Sequence, residues 1–463
     1  VSRPRRFDRN LVVIGGGAAG LVAAQTAARL GAAVSLFERD RMGGECLNSG
    51  CVPSKAFLSA IGRGAGFAEA MASARRAIAA IAPRDGAERY RALGVDVRLT
   101  EARFLDPWTI AAGGERLTAR AFVIATGAAP LWPELPGLER APVSTTETIW
   151  DLAHLPQRLA VLGGGAAGME LAQGFARLGA AVSVIERAPR ILPAWDEEAA
   201  ALIAAASGEL GIRIHAGAEA LALREAGAGW EIVLRQGNTS IALPFDHLLL
   251  ALGKRPRLDG FEALGLARTP SGHLRTDRRL RTSLPHIFAA GDVTAEGGTT
   301  HVAGQLGAYA ALNALLGPLG RLAPPRHARP RALFTTPPLA AVGLDEAGAR
   351  REGVDHEVIR LDLAELDRAA IEDERGGFVK LILRRRDGRL IGAVVAGGAA
   401  PEMIGEIGLA VQQRLPARAL ASLLHPYPGW GEAFSRAAGL RQIARLSPRL
   451  LSWGTRFFRW QRG

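Results

Sequence analysis

One pattern written twice constrains this chain more than anything else in it. Residues 11–39 and 159–187 match without a gap at an offset of 148. In the first copy an apolar run, Asn10 to Ile14, leads into Gly15-Gly16-Gly17-Ala18-Ala19-Gly20. A helical stretch to about Leu30 follows, then a second apolar run, Ala33 to Phe37, that stops at Glu38. Strand, G-x-G-x-x-G, helix, strand, carboxylate is the layout of a dinucleotide-binding βαβ unit. Each part has a mechanical task. Gly15 makes the tight turn. Gly17 lets a pyrophosphate approach the backbone at the helix N-terminus. Gly20 allows close helix–strand packing, and Glu38 offers acceptors to ribose hydroxyls. In the second copy Gly163, Gly165, Gly168 and Glu186 hold the same places. Copies this far apart are not a solenoid, whose periods are much shorter. Two merely structural glycine turns would not need the whole strand–helix–strand frame. The copies differ where Val22 of the first becomes Glu170 of the second. A carboxylate there lies in the helix's first turn, where the dipole favours it, though helix-surface solvation would explain it as well.

Between the copies, Gly43-Gly44-Glu45-Cys46-Leu47-Asn48-Ser49-Gly50-Cys51-Val52-Pro53-Ser54-Lys55 holds the only two cysteines of the chain and one of its three lysines; the others are Lys254 and Lys380. Four residues separate Cys46 from Cys51, about one helical turn. Pro53 is placed to begin a helix through Phe57 and Leu58. A helix N-terminus and a nearby ammonium both favour thiolate over thiol. The spacing favours a redox pair. Two buried cysteines packed as small apolar residues remain an alternative. Zinc is the weakest reading, because it needs about four ligands and no further Cys or nearby His is present; no metal is expected.

At 463 residues and 48% hydrophobic, the chain can bury several cores, and length suggests about three domains. Few aromatics and many Ala and Gly suit α/β layers. The formal charge of +12 comes almost entirely from arginine, scattered except near the C-terminus. No nucleic-acid partner is therefore expected. Two cysteines cannot build a secreted disulfide framework. The opening Val1-Ser2-Arg3-Pro4-Arg5-Arg6 is basic but leads into no ordinary h-region, so the cytoplasm is the default. Leu11 to Ala28 is uncharged and long enough to suggest a membrane span, but its glycines assign it to the nucleotide unit. Residues 56–81 read as helical. Val95 to Phe104, Arg116 to Ile124, Phe378 to Leu383 and Leu390 to Ala396 read as strands, and Pro401 to Gln413 as a helix, with a Pro/Arg linker at Ala323 to Pro330.

These motifs together resemble the FAD-dependent pyridine nucleotide–disulfide oxidoreductases, the group that includes dihydrolipoyl dehydrogenase, glutathione reductase and mercuric reductase. The resemblance runs nearly end to end. It rests on the cysteine stretch, both glycine fingerprints, Ala125-Thr126-Gly127, Gly253-Lys254-Arg255-Pro256, Ala290-Gly291-Asp292 and Phe334-Thr335-Thr336-Pro337. It implies an α/β fold: two Rossmann-type domains, for FAD and NAD(P)H, and a C-terminal α+β dimerisation domain. The boundaries expected are 1–148 and 271–330 for FAD, 149–270 for NAD(P)H and 331–463 for the interface. Gly15, Gly17, Gly20, Glu38, Thr126, Gly127 and Asp292 would serve FAD, with Asp292 on the ribitol. Gly163, Gly165, Gly168, Glu186 and Gly253 would serve the nicotinamide nucleotide. Cys51 would be the sulfur nearest the flavin, in a thiolate–flavin charge-transfer pair, and Cys46 the interchange sulfur. Lys55 and Glu170 would form an ion pair at the flavin's reactive nitrogen, a reason for Glu170 that surface solvation does not give. Glu186 favours NAD(H), while Arg187 and Arg190 leave NADP(H) open.

The family's acid–base pair is a His and a Glu five residues later, given by the partner subunit of a homodimer. Counting back from Glu432 puts Tyr427 at the histidine's place, with His425 two residues upstream. Tyrosine titrates near 10 and is a poor base at neutral pH, though a good donor. His425 either reaches the site or caps a loop, and the loop cap is favoured. Mercuric reductase shares the tyrosine, but this chain lacks that enzyme's additional C-terminal cysteine pair. The expected activity is transfer of electrons from NAD(P)H through FAD and Cys46/Cys51 to a small-molecule or protein disulfide or a related acceptor. The alternatives are a quinone or metal-ion reductase using the same centre, and a flavin-bearing interaction or membrane-scaffold protein. Cys46, Cys51, Lys55 and Glu170 together argue against a scaffold. Ser447-Pro448 opens a final helix with Leu450, Trp453, Phe457 and Trp460 on one face and Arg449, Arg456, Arg459 and Arg462 on the rest. Packing on its own dimer is the expected use of that face; peripheral contact with the membrane's inner face is the alternative.

Overall fold

A computed structural model describes residues 4–227, 229–374 and 376–463; the basic opening Val1-Ser2-Arg3 lies outside them. Packing divides the chain into two units, Val1–Ile191 with Leu210–Pro324, and Leu192–Glu209 with Pro325–Gly463.

The first unit contains two five-stranded parallel sheets. One has the order Ile287–Ala289, Phe122–Ile124, Leu11–Ile14, Val34–Glu38, Val95–Leu99. The other runs Arg213–Ala216, Ala181–Glu186, Arg158–Leu162, His247–Leu250, Val143–Thr145. Leu-Val-Val-Ile of the first central strand is buried throughout, as expected of a strand covered on both faces. The sequence repeat is a structural repeat to the residue: Leu11 pairs with Val34, and Leu159 with Val182.

Each glycine turn is enforced sterically. Gly15 has φ +109°, and a Cβ there would lie 2.2 Å from the Ala125 carbonyl oxygen; Gly163 has φ +112° and would meet the Ala251 carbonyl at 2.4 Å. Both φ values belong to the region that glycine alone enters freely. The helix Ala18–Arg29 lies against Thr300–Leu316 through Ala19, Ala23 and Ala27 against Ala303, Leu306 and Ala310. A small-residue contact of this kind permits close backbone approach. So the uncharged stretch from Leu11 is a strand and a helix, and among the described residues no helix is long and apolar enough to cross a membrane.

Some boundaries differ from the sequence reading. The stretch 56–81 is two helices, Cys51–Gly62 and Phe67–Asp85. They part at Gly64, whose φ of +87° and N–H to the Ile61 carbonyl (2.9 Å) end the first. That helix begins at Cys51, so Pro53 is its third residue rather than its first, still within the turn that tolerates a missing N–H. The stretch 95–104 is likewise two strands, Val95–Leu99 and Ala102–Asp106.

The second unit is built on an antiparallel sheet, ordered Arg331–Leu333, Leu339–Gly343, Leu390–Ala396, Phe378–Arg384, His356–Asp362. The helices Ala400–Gln412 and Glu432–Ala444 contribute Ile404, Ile407, Phe434 and Ala437 to its core, beside Val379, Leu381 and Val395. Lys380, inside the sheet, is buried. Its ammonium is held by Asp196 (3.1 Å), Glu198 (2.8 Å) and Glu346 (3.2 Å), which is what makes a buried charge tolerable. Asp196 precedes the helix Glu197–Glu209 and caps it, accepting from Ala199 N at 3.1 Å. This lysine ties that helix to the sheet.

Candidate functional site

Cys46 sits in a one-turn helix, Gly44–Asn48, and Cys51 is the first residue of Cys51–Gly62, with Gly50 as N-cap. Gly43 (φ +91°) turns the chain into the first of these, and its N–H bonds the Gly16 carbonyl at 2.9 Å. The cysteine segment is thereby anchored to the first glycine loop. Both cysteines are free thiols here, Cys51 on the exposed side.

Their protonation is asymmetric. Cys51 is lowered to about 6, first because the Cys46 thiol donates to it, then because Thr300 and the Lys55 ammonium support the anion; desolvation and Glu45 oppose. Cys46 is pushed far up, chiefly because its proton is the one shared with Cys51. The Thr300 hydroxyl lies 3.5 Å from the Cys51 sulfur. The surroundings therefore favour the anion at Cys51 over Cys46.

Lys55 stands one turn along the same helix and binds Glu170 at 2.6 Å. Glu170 is buried, on the helix Ala166–Arg177. The two helices are clamped beside this pair. Phe57 packs on Phe175 (5.4 Å between centroids) and on Trp150 (5.7 Å, edge-on), and Trp150 Nε1 donates to the Ser49 carbonyl at 2.7 Å. Gly174 leaves room for Leu58 and Phe57. Beside Cys46, both Glu45 carboxylate oxygens accept from Lys254 Nζ at 2.5 Å. The lysine moderates the one carboxylate that works against the Cys51 thiolate.

The glycine loops present open backbone donors. Gly17 and Gly165 are N-caps without side-chain caps, and neither helix has an acid in its first turn; Glu170, expected there from the sequence, is the fifth residue of its helix and lies beyond that turn, because the helix starts at Ala166, ahead of Gly168. A Cβ at Gly165 would meet nothing within 4 Å, and one at Gly17 only Gly44 Cα at 3.7 Å. Such donors beside clear space suit a pyrophosphate. Glu38 accepts from Gly16 N (2.6 Å) and Asp40 N (2.8 Å); Glu186 accepts from Gly164 N (2.8 Å) and Ala188 N (2.7 Å). Each carboxylate shapes its loop and keeps lone pairs for a ribose. Asp292 accepts from Gly298 N at 2.8 Å, and Thr126 donates to the Arg257 carbonyl at 2.7 Å. Gly127 and Gly253 turn with φ of +68° and +91°.

The acid–base candidates belong to the second unit. Tyr427, exposed, donates to Asp367 Oδ2 at 2.7 Å, which raises its pKa above the ordinary 10. Glu432 opens the helix Glu432–Ala444 and binds Arg436 at 2.7 Å. Tyr427 and Glu432 thus have separate partners. His425 is nearly buried, with Nε2 3.0 Å from Glu406 Oε2, an arrangement that holds the loop to the helix Ala400–Gln412. Thr300, Glu45, Trp150 and Asp367 escaped the sequence reading. Only Glu45, adjacent to Cys46, had a local signal. Among the described residues no group of three or more His, Cys, Asp or Glu could hold a metal ion.

Comparison with known proteins gives the chain's family. A family model described as pyridine nucleotide-disulphide oxidoreductase matches residues 9–307, and that family's dimerisation domain matches 329–438. Mercuric reductase of Staphylococcus aureus is 33% identical over 94% of this chain and 82% of its own. Dihydrolipoyl dehydrogenase of Bacillus subtilis is 32% identical over 96% and 97%. Among solved structures, the Cu(II) complex of the HOCl-induced flavoprotein disulfide reductase RclA from Escherichia coli superposes with a TM-score of 0.84 at 28% identity, covering 93% of this chain and 99% of that one. LpdA from Mycobacterium tuberculosis gives 0.85 at 29%, over 94% and 99%.

Proposed function

The chain belongs to the pyridine nucleotide-disulphide oxidoreductases, and from that premise we propose that it carries electrons from NADH to the Cys46–Cys51 pair and from there to a disulfide substrate. The class is that of FAD- and pyridine nucleotide-dependent enzymes, with a dimerisation domain that goes with a homodimer. In this reading residues 1–148 and 271–330 hold FAD, 149–270 the nicotinamide nucleotide, and 331–463 the second copy. Gly15, Gly17, Gly20, Glu38, Thr126, Gly127 and Asp292 serve the first nucleotide; Gly163, Gly165, Gly168, Glu186 and Gly253 serve the second. Bound flavin supplies the two-electron link between the nicotinamide and the cysteines. Glu186, already fixed by two backbone N–H groups, suits free ribose hydroxyls and hence NADH. A dithiol that must be regenerated at each turnover suits the reducing cytoplasm.

The observation that carries the reading is where the pair sits: Cys51 begins a helix, the Lys55–Glu170 ion pair (2.6 Å) stands one turn along it, and the Thr300 hydroxyl lies 3.5 Å from the Cys51 sulfur. Cys51 is then the base that the family's histidine would otherwise be. As the Cys46 sulfur attacks one sulfur of R–S–S–R, its proton passes to Cys51, and the first RS⁻ leaves and is protonated by solvent. Tyr427, whose hydroxyl remains a donor, stabilises that leaving group across the homodimer. Cys51 then gives its proton to solvent and attacks the Cys46 sulfur, expelling the second RS⁻, which takes a proton from solvent, and closing the Cys46–Cys51 disulfide. The sum is one substrate disulfide reduced to two thiols and one enzyme dithiol oxidised to a disulfide.

A second reading is reduction of a thiophilic metal ion. It is favoured by the same Tyr427, because a metal ion bound by thiolates needs no general base, and by the likeness to a reductase solved with Cu(II). Stopped-flow reduction with NADH and with NADPH, followed by lipoamide, glutathione disulfide, a quinone, Cu(II) and Hg(II), separates the two. The Cys46→Ser variant should lose disulfide reduction and keep quinone reduction. If it still reduces disulfides, or if the wild type reduces only the quinone, the disulfide reading is wrong.

A further inference from the structure

After Glu432 the chain contains seven arginines and no aspartate or glutamate. Three are spent within the second unit: Arg436 on Glu432, and Arg441 and Arg445 on Glu357. The other four, Arg449, Arg456, Arg459 and Arg462, lie along or at the end of the helix Pro448–Gln461 and have no carboxylate partner among the described residues. The helix is self-contained. Ser447 Oγ accepts from Leu450 N at 3.1 Å, Pro448 occupies the first turn, and Arg459 stands in the last, where a cation complements the dipole.

None of its residues is buried. Trp460 is 75% exposed, Trp453 62% and Phe458 60%. The rings cluster: Trp453 stacks on Phe457 at 5.4 Å, and Phe457 meets Trp460 at 6.0 Å. At 100° per residue, Trp460, Trp453, Phe457, Leu450, Phe458 and Leu451 cover one half of the helix, and the four arginines lie in the other. An apolar face this large, left open to water, marks an interaction surface.

We propose that Pro448–Gln461 docks the protein on an anionic lipid surface, lying in the bilayer plane with Trp453, Phe457 and Trp460 among the acyl chains and the arginines on headgroup phosphates. Two observations favour lipid over a second copy of the chain. The match to the family's dimerisation domain ends at residue 438, so this helix lies outside the segment that the family uses for its dimer. Its polar face also carries no acid, so a second copy of the helix offers like charge, whereas an anionic headgroup layer offers the counter-charge along its whole length. At 14 residues the helix is about 21 Å long. That is too short to span a bilayer core of about 30 Å, so the contact is peripheral.

The test uses the holoenzyme of this 463-residue chain with vesicles of phosphatidylcholine alone or mixed with phosphatidylglycerol. The intact chain should sediment with the anionic vesicles roughly tenfold or more above its level with neutral ones, and lose that difference in high salt. A chain ending at Leu446, the pair Trp453→Ala with Trp460→Ala, and the pair Arg456→Ala with Arg459→Ala should each fall towards background. All three should keep the quinone reductase rate, since none of the helix's residues is buried in the unit. Tryptophan emission should shift to the blue on vesicle addition only when Trp453 and Trp460 are present. The proposal is overturned if the shortened chain sediments as well as the intact one, if the intact chain stays in the supernatant with both vesicles, or if removing the helix turns a dimer into a monomer in lipid-free buffer.

Discussion

At the scale of residues, the reactivity of the site comes from where one proton sits. Cys46 and Cys51 share it, and the neighbourhood decides the sharing in favour of a Cys51 anion: a donor in Thr300, a cation in Lys55, and an opposing Glu45 held by Lys254. Replacing Cys46 by Ala removes the largest stabilising contact, so Cys51 should titrate at higher pH. Thiolate absorbance of the reduced protein should then fall roughly severalfold at neutral pH. An unchanged titration would show that Lys55 and Thr300 suffice without Cys46. In the wild type the lowered value near 6 means that the thiolate persists through neutral pH and is lost as pH falls below it. Tyr427 moves the other way: bonded to Asp367 it stays protonated across the same range. Residue identities and local spacing were legible in the sequence, and so were Cys46, Cys51, Lys55 and Glu170 as candidates. Thr300, nearly 250 positions from Cys51 in the chain, was not, because a hydroxyl in a helix's first turn looks like any other until the fold brings it to a sulfur.

At the scale of elements, the Lys55–Glu170 contact depends on how closely two helices meet. Gly174 marks the crossing. A Cβ there would come within 2.9 Å of Leu58 and 3.1 Å of Phe57. Gly174→Val should therefore push the helices apart, cost about 1–3 kcal/mol of stability by overpacking, and slow turnover without altering the nucleotide loops. Thermal unfolding and the kcat with a quinone would measure both, and an unchanged Tm would show that the crossing is slack. Lys380 is the other contact built from helix and strand. Its pKa is raised and that of Glu198 lowered by the network they share, burial opposing both. The ammonium's contribution is present below its ordinary 10.5 and fades as pH rises through the raised value. The carboxylate's is present above its ordinary 4.5 and fades as pH falls through the lowered one. Lys380→Met should cost about 3 kcal/mol near neutrality, where it strands buried Asp196 beside Glu198 and Glu346, and less as pH falls through the lowered value of Glu198. A destabilisation that did not shrink with falling pH would point to packing rather than charge. A buried lysine within an apolar strand pattern gives no sequence signal of its partners, since Asp196 and Glu198 come from another part of the chain. The strand itself was legible, and so was the helix that follows at 400–412, because long apolar periods survive tertiary context.

At the scale of the whole molecule, the duplicated βαβ unit dictates both parallel sheets of the first unit. Glycine turns that clash with carbonyls when given a Cβ leave few alternatives, so the two parallel sheets share one register. Completion of the site by a second chain is part of the proposed function and follows from the resemblance that the motifs carry. The cysteines lie in the first unit and Tyr427 and Glu432 in the second, and the family resemblance has the residues at 427 and 432 of one copy act beside the cysteines of the other. Subunit mixing tests that requirement directly. Cys46→Ala protein and Glu432→Ala protein, each inactive towards a disulfide alone, should regain about a quarter of wild-type sites after denaturation together and refolding. Random pairing makes half the dimers mixed, each with one intact site and one doubly broken one. Glu432 is suited to this use because its present partner, Arg436, is one turn along the same helix on a half-buried face, and such an i,i+4 pair contributes only a fraction of the fold's stability. Activity in the mixture at that level would locate the site across the dimer. Activity in Glu432→Ala protein alone would remove Glu432 from the mechanism, and a silent mixture of folded dimers would place both groups in the same subunit's site.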